Sequence, residues 1–398
     1  MRFGYIMLIA MFFNFFGFFI VEGYLVLGGG ERITPFLFNK YTSESIYEMA
    51  AVFFLCSVFV IFFYFRKKEN FGFSSVYIYR KRFTYWVLSA IFLFFSFYNI
   101  LTANYSFSMD FRGYSQFSRT AFDSLSRLSI LLLPAFIFFR VAYKEHGAAR
   151  LLALFFVFCI AVNSMSFGDR RLLLYFGLSY LLIYLREKRV RGGVKGAFKG
   201  GVALSMSMLV MVMVYYFRSG GTFNMGYTVL QSTVGALGIG AILPEVKIII
   251  EQKTGLLMGG PFVTYVWTLF VPSFLLYVFG GDEFVYRSSY LFNEIFNDNP
   301  NMGYDFMMLA DFYWSFGYVG YIFYILFFFL VFLLVQKGEN GGGDFAFCSS
   351  LMLLVFFVAG QRSDFGFFLK SFFYCYLVLY LLYWVASEKK GRIADDPR

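Results

Sequence analysis

Carboxylates are the first residues of this chain whose chemistry suggests a reaction. Asp305 and Asp311 lie in a stretch rich in aromatic residues. Loss of contact with water there would raise the pKa of a carboxyl group toward the range of a general base. The same two positions also fit the solvated start of a helix, which acidic side chains favour, so residue types alone leave both interpretations open. Four further acids at comparable positions are Glu245, Asp282, Glu283 and Asp364.

Arginines form a second set of candidate functional residues. A guanidinium group binds phosphate oxygens through two parallel N–H donors and stays charged beside lipid. A group of arginines around one cavity would therefore suit a pyrophosphate. The alternative for any one of them is an ion pair with a nearby aspartate or contact with a lipid phosphate. The arginines of interest are Arg170, Arg171, Arg218, Arg287 and Arg362.

Several other kinds of chemistry find no support in the sequence. It contains no metal-ligand spacing, no P-loop and no GxSxG element. Its single histidine, His146, lies in a short polar segment, where a solvated loop residue is expected. The four cysteines, Cys56, Cys159, Cys348 and Cys375, each lie in an apolar stretch without CxxC spacing. We expect them to pack as small hydrophobic residues, and we expect no metal and no cofactor.

The composition determines which elements must position these residues. Of 398 residues, 60% are hydrophobic, 15% are charged and 61 are phenylalanine, and the mean hydropathy is +0.66. A soluble domain of this length carries more charge. The net charge of +10 lies mostly in short segments between apolar runs, which indicates membrane topology rather than nucleic-acid binding. The sequence predicts an all-α integral membrane protein with a single membrane-embedded domain over residues 1–398.

About ten apolar stretches are long enough, or nearly so, to cross a bilayer as helices. The predicted spans are Gly4–Leu27, Ile46–Phe65, Trp86–Ala103, Leu125–Val141, Leu151–Phe167, Arg171–Leu185, Ala203–Phe217, Phe316–Val335, Phe345–Gly360 and Phe367–Val385.

Lysine and arginine give these predicted spans an orientation. They are concentrated in alternate connections, at 66–82, 140–150 and 186–199, and again after residue 388. The positive-inside rule places these regions, and both termini, in the cytoplasm. Residues 218–315 then form one long external loop. Within it, 228–243 and 261–280 are apolar enough to enter the membrane, and the charge pattern requires that neither or both of them cross.

Under this topology all five arginines lie at or near the external surface. Positive-inside sorting does not explain cations on that side of the membrane. The favoured interpretation is therefore that the group binds a ligand. Four of its members lie at the mouths of four different helices: Arg170, Arg171, Arg218 and Arg362.

Two stretches resemble segments of bacterial oligosaccharide repeat-unit polymerases, the Wzy-type O-antigen and capsule polymerases. Residues 163–171, Asn-Ser-Met-Ser-Phe-Gly-Asp-Arg-Arg, are similar to a Gly–x–Arg element that joins two helices at the outer face. Residues 311–320 resemble an acid–x–Tyr–x–x–Phe–Gly–x–x–Gly element, where a long periplasmic loop re-enters the membrane. The resemblance covers residues 150–335, although Ser273 stands where the family often has an arginine.

This resemblance implies a fold like that of the GT-C-like polymerases and ligases, in the bacterial cytoplasmic (inner) membrane. It implies a metal-independent glycosyltransferase that polymerises undecaprenyl-pyrophosphate-linked repeat units into O-antigen, capsular or other exopolysaccharide. Asp311, or else Asp305, would be the base, and Arg170, Arg171, Arg218, Arg287 and Arg362 would bind the pyrophosphate. The implied partners are lipid-linked glycans, membrane lipids, a chain-length regulator and a flippase.

Two alternatives remain open at this stage. An O-antigen ligase shares the general architecture, but such ligases are associated with an external histidine, and His146 lies in a predicted cytoplasmic loop. A transporter or flippase for an anionic lipid-linked solute is the second alternative. Transporters of this kind often contain inverted repeats, and the sequence shows no convincing internal repeat.

Overall fold

The computed structural model describes residues 3–27, 40–66, 82–102, 129–167, 171–187, 242–270, 288–296, 306–339 and 343–386. These residues form helices and short connections, and no β-strand occurs among them. The first six helices are α1 Phe3–Leu27, α2 Lys40–Arg66, α3 Arg82–Thr102, α4 Leu132–Ala142, α5 Gly147–Phe167 and α6 Arg171–Glu187. The next four are short: α7 Ile242–Ile249, α8 Gly260–Phe270, α9 Ser288–Phe296 and α10 Met308–Phe316. The last three are α11 Tyr318–Glu339, α12 Asp344–Gly360 and α13 Phe365–Ala386.

Four of the described helices are long and apolar enough to cross a membrane, at Tyr41–Phe63, Arg82–Leu101, Tyr318–Glu339 and Phe365–Ala386. Their outward surfaces are apolar as well. On α11, for example, Ile322, Leu326 and Leu330 are all exposed. Such a surface suits the hydrocarbon of a bilayer and would be costly in water. The described helices are those of a membrane-embedded protein.

Most predicted spans coincide with helices to within a few residues. The fourth predicted span, Leu125–Val141, is shorter as a helix, because α4 begins at Leu132 after a 3₁₀ turn at Ser129–Leu131. The seventh, Ala203–Phe217, lies outside the described residues. The apolar segment 228–243 is described only at its last two residues, whereas 261–280 is described as far as residue 270. The number of crossings remains a prediction.

Two contacts between helix ends define one end of the bundle. The backbone N–H of Phe3 donates to the carboxylate of Glu339 at 3.0 Å, which joins the start of α1 to the end of α11. An ion pair of 3.0 Å between Arg140 and Glu187 joins the ends of α4 and α6. We call this the basal end. The opposite end, where α13 begins, carries the candidate site and is called the site end.

Phenylalanine fills much of the space between helices. Phe92, Phe136, Phe156 and Phe176, from α3, α4, α5 and α6, are fully buried and form one cluster of rings. The abundance of this residue therefore serves helix packing as well as the lipid-facing surface. The four cysteines are also buried and unbridged, which confirms their prediction as small packing residues.

Candidate functional site

Asp311 lies in the first turn of α10 and is completely buried, with an exposed fraction of 0%. Both of its carboxylate oxygens accept hydrogen bonds. The hydroxyl of Ser288, the first residue of α9, donates to Oδ1. The backbone N–H of Phe365, the first residue of α13, donates to Oδ2 at 2.8 Å. Asp311 therefore connects the starts of two helices that are distant in sequence.

Asp364 forms the second carboxylate of this site and is held in the same way. Its Oδ1 accepts the backbone N–H of Phe367 at 2.7 Å, so it caps the N-terminus of α13. Its Oδ2 accepts the hydroxyl of Ser289. Each carboxylate thus receives one serine hydroxyl from the start of α9 and one backbone N–H from the start of α13. We call Asp311 and Asp364 the carboxylate pair.

Tyr265 of α8 also belongs to the site, because it contacts both Ser288 and the start of α13. Its hydroxyl lies 3.3 Å from the Ser288 hydroxyl and accepts the Ser288 backbone N–H at 3.3 Å. The tyrosine ring packs directly on the backbone of Gly366, where a Cβ atom would overlap the ring. Glycine at position 366 therefore allows α8 to approach the start of α13 closely enough for this contact.

Burial and charge together change the acidity of Asp311. Loss of solvent raises the pKa of Asp311 to about 7, and the negative charge of Asp364 acts in the same direction. The hydrogen bonds from Ser288 and from the Phe365 backbone oppose this shift. Asp311 is thus a desolvated carboxyl group at a helix start and not a solvated one.

Two glycines hold α10 in position beside α11. Gly317 has a positive φ of 60°, a conformation that glycine adopts without strain, and it ends α10. At Gly320 a Cβ atom would overlap the carbonyl oxygen of Phe312, so the two helices pack backbone against backbone. These glycines belong to the Phe–Gly–x–x–Gly pattern in the sequence, and the pattern has a packing reason here.

The segment before α8 pairs with the end of α10. The backbone N–H of Leu257 donates to the carbonyl of Trp314 at 3.0 Å, and that of Gly259 donates to Ser315 at 3.0 Å. Carbonyls at a helix end have no partner within the helix, so these bonds satisfy them. They also fix where α8 starts relative to Asp311.

The predicted arginines are only partly described. Arg362 lies in the turn between α12 and α13, two residues before Asp364, and is partly exposed. Arg171 is the first residue of α6, and only its backbone is described. Outside the described residues lie Arg170, Arg218, Arg287 and Asp305. The structure brings Asp311 together with the turn that carries Arg362, and the convergence of the other arginines stays a prediction.

Glu245, another of the candidate acids, lies on a different helix from either member of the carboxylate pair. It lies half-buried in the first turn of α7, and burial raises its pKa. None of its described contacts reaches Asp311 or Asp364.

Sequence reasoning missed the residues that complete the site. Ser288, Ser289 and Tyr265 carried no motif, and Gln361 was not singled out. Gln361 accepts the Met308 N–H at 3.3 Å through its backbone carbonyl and the Tyr324 hydroxyl at 2.6 Å through its side chain. The available signal was weak, because two serines before an apolar helix indicate a helix start and do not indicate its neighbours.

The arrangement is suited to proton transfer. Among the described residues no group of three His, Cys, Asp or Glu side chains could hold a metal ion. A carboxyl group with a pKa near neutrality can instead accept or donate a proton under ordinary conditions. The turn that contributes Asp364 also contains the positively charged Arg362.

No protein-family model, curated protein or solved structure matches this chain.

Proposed function

We propose that this chain is a membrane glycosyltransferase that polymerises undecaprenyl-pyrophosphate-linked oligosaccharide repeat units, with Asp311 as its general base. The observation that supports this most is a completely buried carboxyl group whose pKa is raised to about 7. It lies at one end of a bundle whose long helices suit a membrane. A base at the end of such a bundle can act on a sugar hydroxyl attached to a lipid-anchored carrier.

The reaction assigns a separate role to each kind of residue. Asp311 accepts the proton of the acceptor hydroxyl. The acceptor oxygen then bonds to the anomeric carbon of the donor glycan, while the bond from that carbon to the pyrophosphate oxygen breaks. Negative charge develops on the departing undecaprenyl pyrophosphate, and arginine donors stabilise it. Arg362 is the described candidate for this role, and Arg170, Arg171, Arg218 and Arg287 are assigned to it by the resemblance.

Ser288 suggests how the acceptor could reach the base. Its hydroxyl donates to Asp311 Oδ1, as a sugar hydroxyl would have to do. The bond from Phe365, in contrast, belongs to the start of a long helix and is expected to persist. We therefore infer that the acceptor hydroxyl replaces Ser288 on Oδ1 when α9 moves aside.

The decisive experiment uses the purified full chain in lipid vesicles supplied only with undecaprenyl-pyrophosphate-linked repeat units. We expect long glycan chains and released undecaprenyl pyrophosphate from the unmodified protein. Asp311→Asn should leave single repeat units, because an amide cannot accept the proton. Glu145→Gln is the matched control, since it makes the same acid-to-amide change at an exposed residue of the basal end. Polymer formation by Asp311→Asn at the unmodified rate would refute the assignment of the base.

The same experiment separates the alternatives. A ligase forms no product until a core lipid acceptor is added. A transporter moves the lipid-linked unit across the vesicle membrane and forms no glycosidic bond. Polymer formed from repeat units alone therefore supports the polymerase and excludes both alternatives.

A further inference from the structure

Helix α8 follows α13 away from the candidate site. The rings of Phe262 and Phe365 are stacked with their centroids 5.0 Å apart, and Tyr265 packs on Gly366. Four residues further along α8, the carbonyl of Leu269 accepts the Tyr374 hydroxyl at 3.2 Å. The contacts advance in the same direction on both helices. At 1.5 Å per residue, they extend over about 14 Å of α13, from Phe365 to Tyr374.

Helix α13 is one of the four helices of membrane-spanning length. A helix that follows it for about 14 Å from its first turn reaches less than halfway across a hydrocarbon core of about 30 Å. The described part of α8, Gly260–Phe270, has 11 residues, whereas a helix that crosses such a core has about 20.

The outer face of α8 has the surface of a lipid-facing helix. Val263 and Trp267 are 72% and 70% exposed, and Val266 lies between them on the same face. No charged residue occurs from position 255 to position 270. In water this face would be an exposed apolar patch on a segment without any charge to keep it solvated.

This apolar face is continuous with the exposed surface of α13. Within α13 no residue before Leu377 is exposed, and α8 packs along that first half. Beyond the last contact with α8, Leu377, Tyr380 and Leu381 become exposed. Along the first half of α13, α8 therefore lies between α13 and the lipid. Along the second half, α13 itself forms the lipid-facing surface.

The segment also begins and ends on the same side of the bundle. Phe262 lies beside Phe365 at the site end, and Ser288, the next described residue after α8, again contacts Tyr265 and Asp311. Polar backbone groups within hydrocarbon need partners, and the Tyr374 hydroxyl provides one for the last turn of α8.

We propose that α8 is a re-entrant helix that enters the membrane from the site end and leaves on the same side. Its Val263–Trp267 face contacts the acyl chains of the bilayer. The proposal does not depend on the glycosyltransferase activity, since it follows from the packing of α8, its exposed apolar face and the return of the chain at Ser288.

The test attaches a nitroxide spin label to single cysteines in the full chain, reconstituted in phosphatidylcholine vesicles. The variants are Val263→Cys, Val266→Cys and Trp267→Cys, all at exposed positions where the label disturbs little packing. Relaxation by oxygen, which dissolves in hydrocarbon, is compared with relaxation by a water-soluble nickel chelate. We expect oxygen to dominate at all three positions, with the label at 267 about 6 Å deeper than that at 263.

Lys253→Cys is the matched control, because this exposed residue lies just before the uncharged segment. Its label should respond mainly to the nickel chelate. The unmodified chain treated with the same reagent gives the background from the four buried cysteines. Nickel accessibility at 263 and 267 equal to that at 253 would mean that α8 lies in water and would overturn the proposal. The absence of any change in depth from 263 to 267 would also overturn it.

Discussion

Asp311 is expected to link the stability of the fold to pH. Its pKa of about 7 in the folded chain lies above the value of about 3.9 for an unfolded aspartate. The stabilising contribution of the protonated carboxyl is complete below the unfolded pKa and is lost as pH rises through about 7. Each unit of pKa difference corresponds to about 1.4 kcal/mol. We therefore predict that the melting temperature of the purified protein in detergent falls between pH 5 and pH 8. Asp311→Asn should remove most of that fall, and an unchanged slope would contradict the prediction.

The rate of the proposed reaction should show the opposite dependence on pH. Only the ionised form of Asp311 accepts a proton, so initial polymerisation rates should rise as pH increases through about 7. Asp364→Asn removes the like charge that raises the pKa of Asp311, and asparagine still caps a helix well. We predict that this variant keeps its activity and that its pH profile moves to lower pH. A profile identical to that of the unmodified protein would show that Asp364 does not influence the base.

At the scale of helices, the pair α10 and α11 depends on the absence of a side chain at Gly320. A methyl group there would overlap the Phe312 carbonyl, which is backbone and cannot rotate away. We predict that Gly320→Ala lowers the free energy of unfolding by about 1–3 kcal/mol, and that it reduces activity because α10 carries Asp311. Gly147→Ala is the matched control, since no atom lies within 4 Å of the added methyl group. Thermal unfolding of the two variants measures the difference, and equal melting temperatures would contradict the prediction.

A buried charge cluster attaches α7 to two long helices. Lys247 is 4% exposed, and its Nζ atom lies 2.7 Å from the Glu48 carboxylate of α2. The Tyr321 hydroxyl of α11 donates to the same carboxylate at 2.6 Å. Removing one partner of a buried ion pair costs about 3–5 kcal/mol, because the other charge is left without compensation.

We therefore predict that Lys247→Met strongly lowers the melting temperature. Adding Glu48→Gln should restore much of the loss, since glutamine still accepts the Tyr321 hydrogen bond and carries no charge. Lys253→Met, at an exposed position, is the control and should have little effect. If the double variant were no more stable than Lys247→Met alone, the ion pair would not be the source of the stability.

The long helices were predictable from sequence because a bilayer requires long, nearly uncharged segments, and such segments are conspicuous. Helix α4 is shorter than its predicted span because hydropathy does not indicate where a helix begins within an apolar run. The packing of the short helices α8, α9 and α10 was not predictable from the sequence. Their positions depend on contacts with residues far away in sequence, such as Tyr265 with Gly366. Asp311 could be selected from its sequence pattern, but its bond to Ser288 could not.

For the whole molecule, the distribution of charge makes a prediction about orientation. Arg140, Lys144, Arg150 and Arg186 lie at the basal end, together with the start of α1 and the end of α13. The positive-inside rule assigns that end to the cytoplasm. In intact bacterial cells, Lys144→Cys should therefore resist a membrane-impermeant thiol reagent, whereas Lys253→Cys at the opposite end should react. Both side chains are exposed, and the unmodified chain, with its four buried cysteines, serves as the blank.

After the cells are permeabilised, Lys144→Cys should react as fully as Lys253→Cys, which shows that membrane sidedness and not local burial protected it. The opposite labelling pattern would place the carboxylate pair on the cytoplasmic side. Lipid-linked repeat units are joined on the outer face in the family that the sequence resembles. A reversed orientation would therefore exclude the proposed polymerase. It would not affect the proposal that α8 is re-entrant, because that proposal requires only contact with the hydrocarbon core, whichever compartment lies beside the site end.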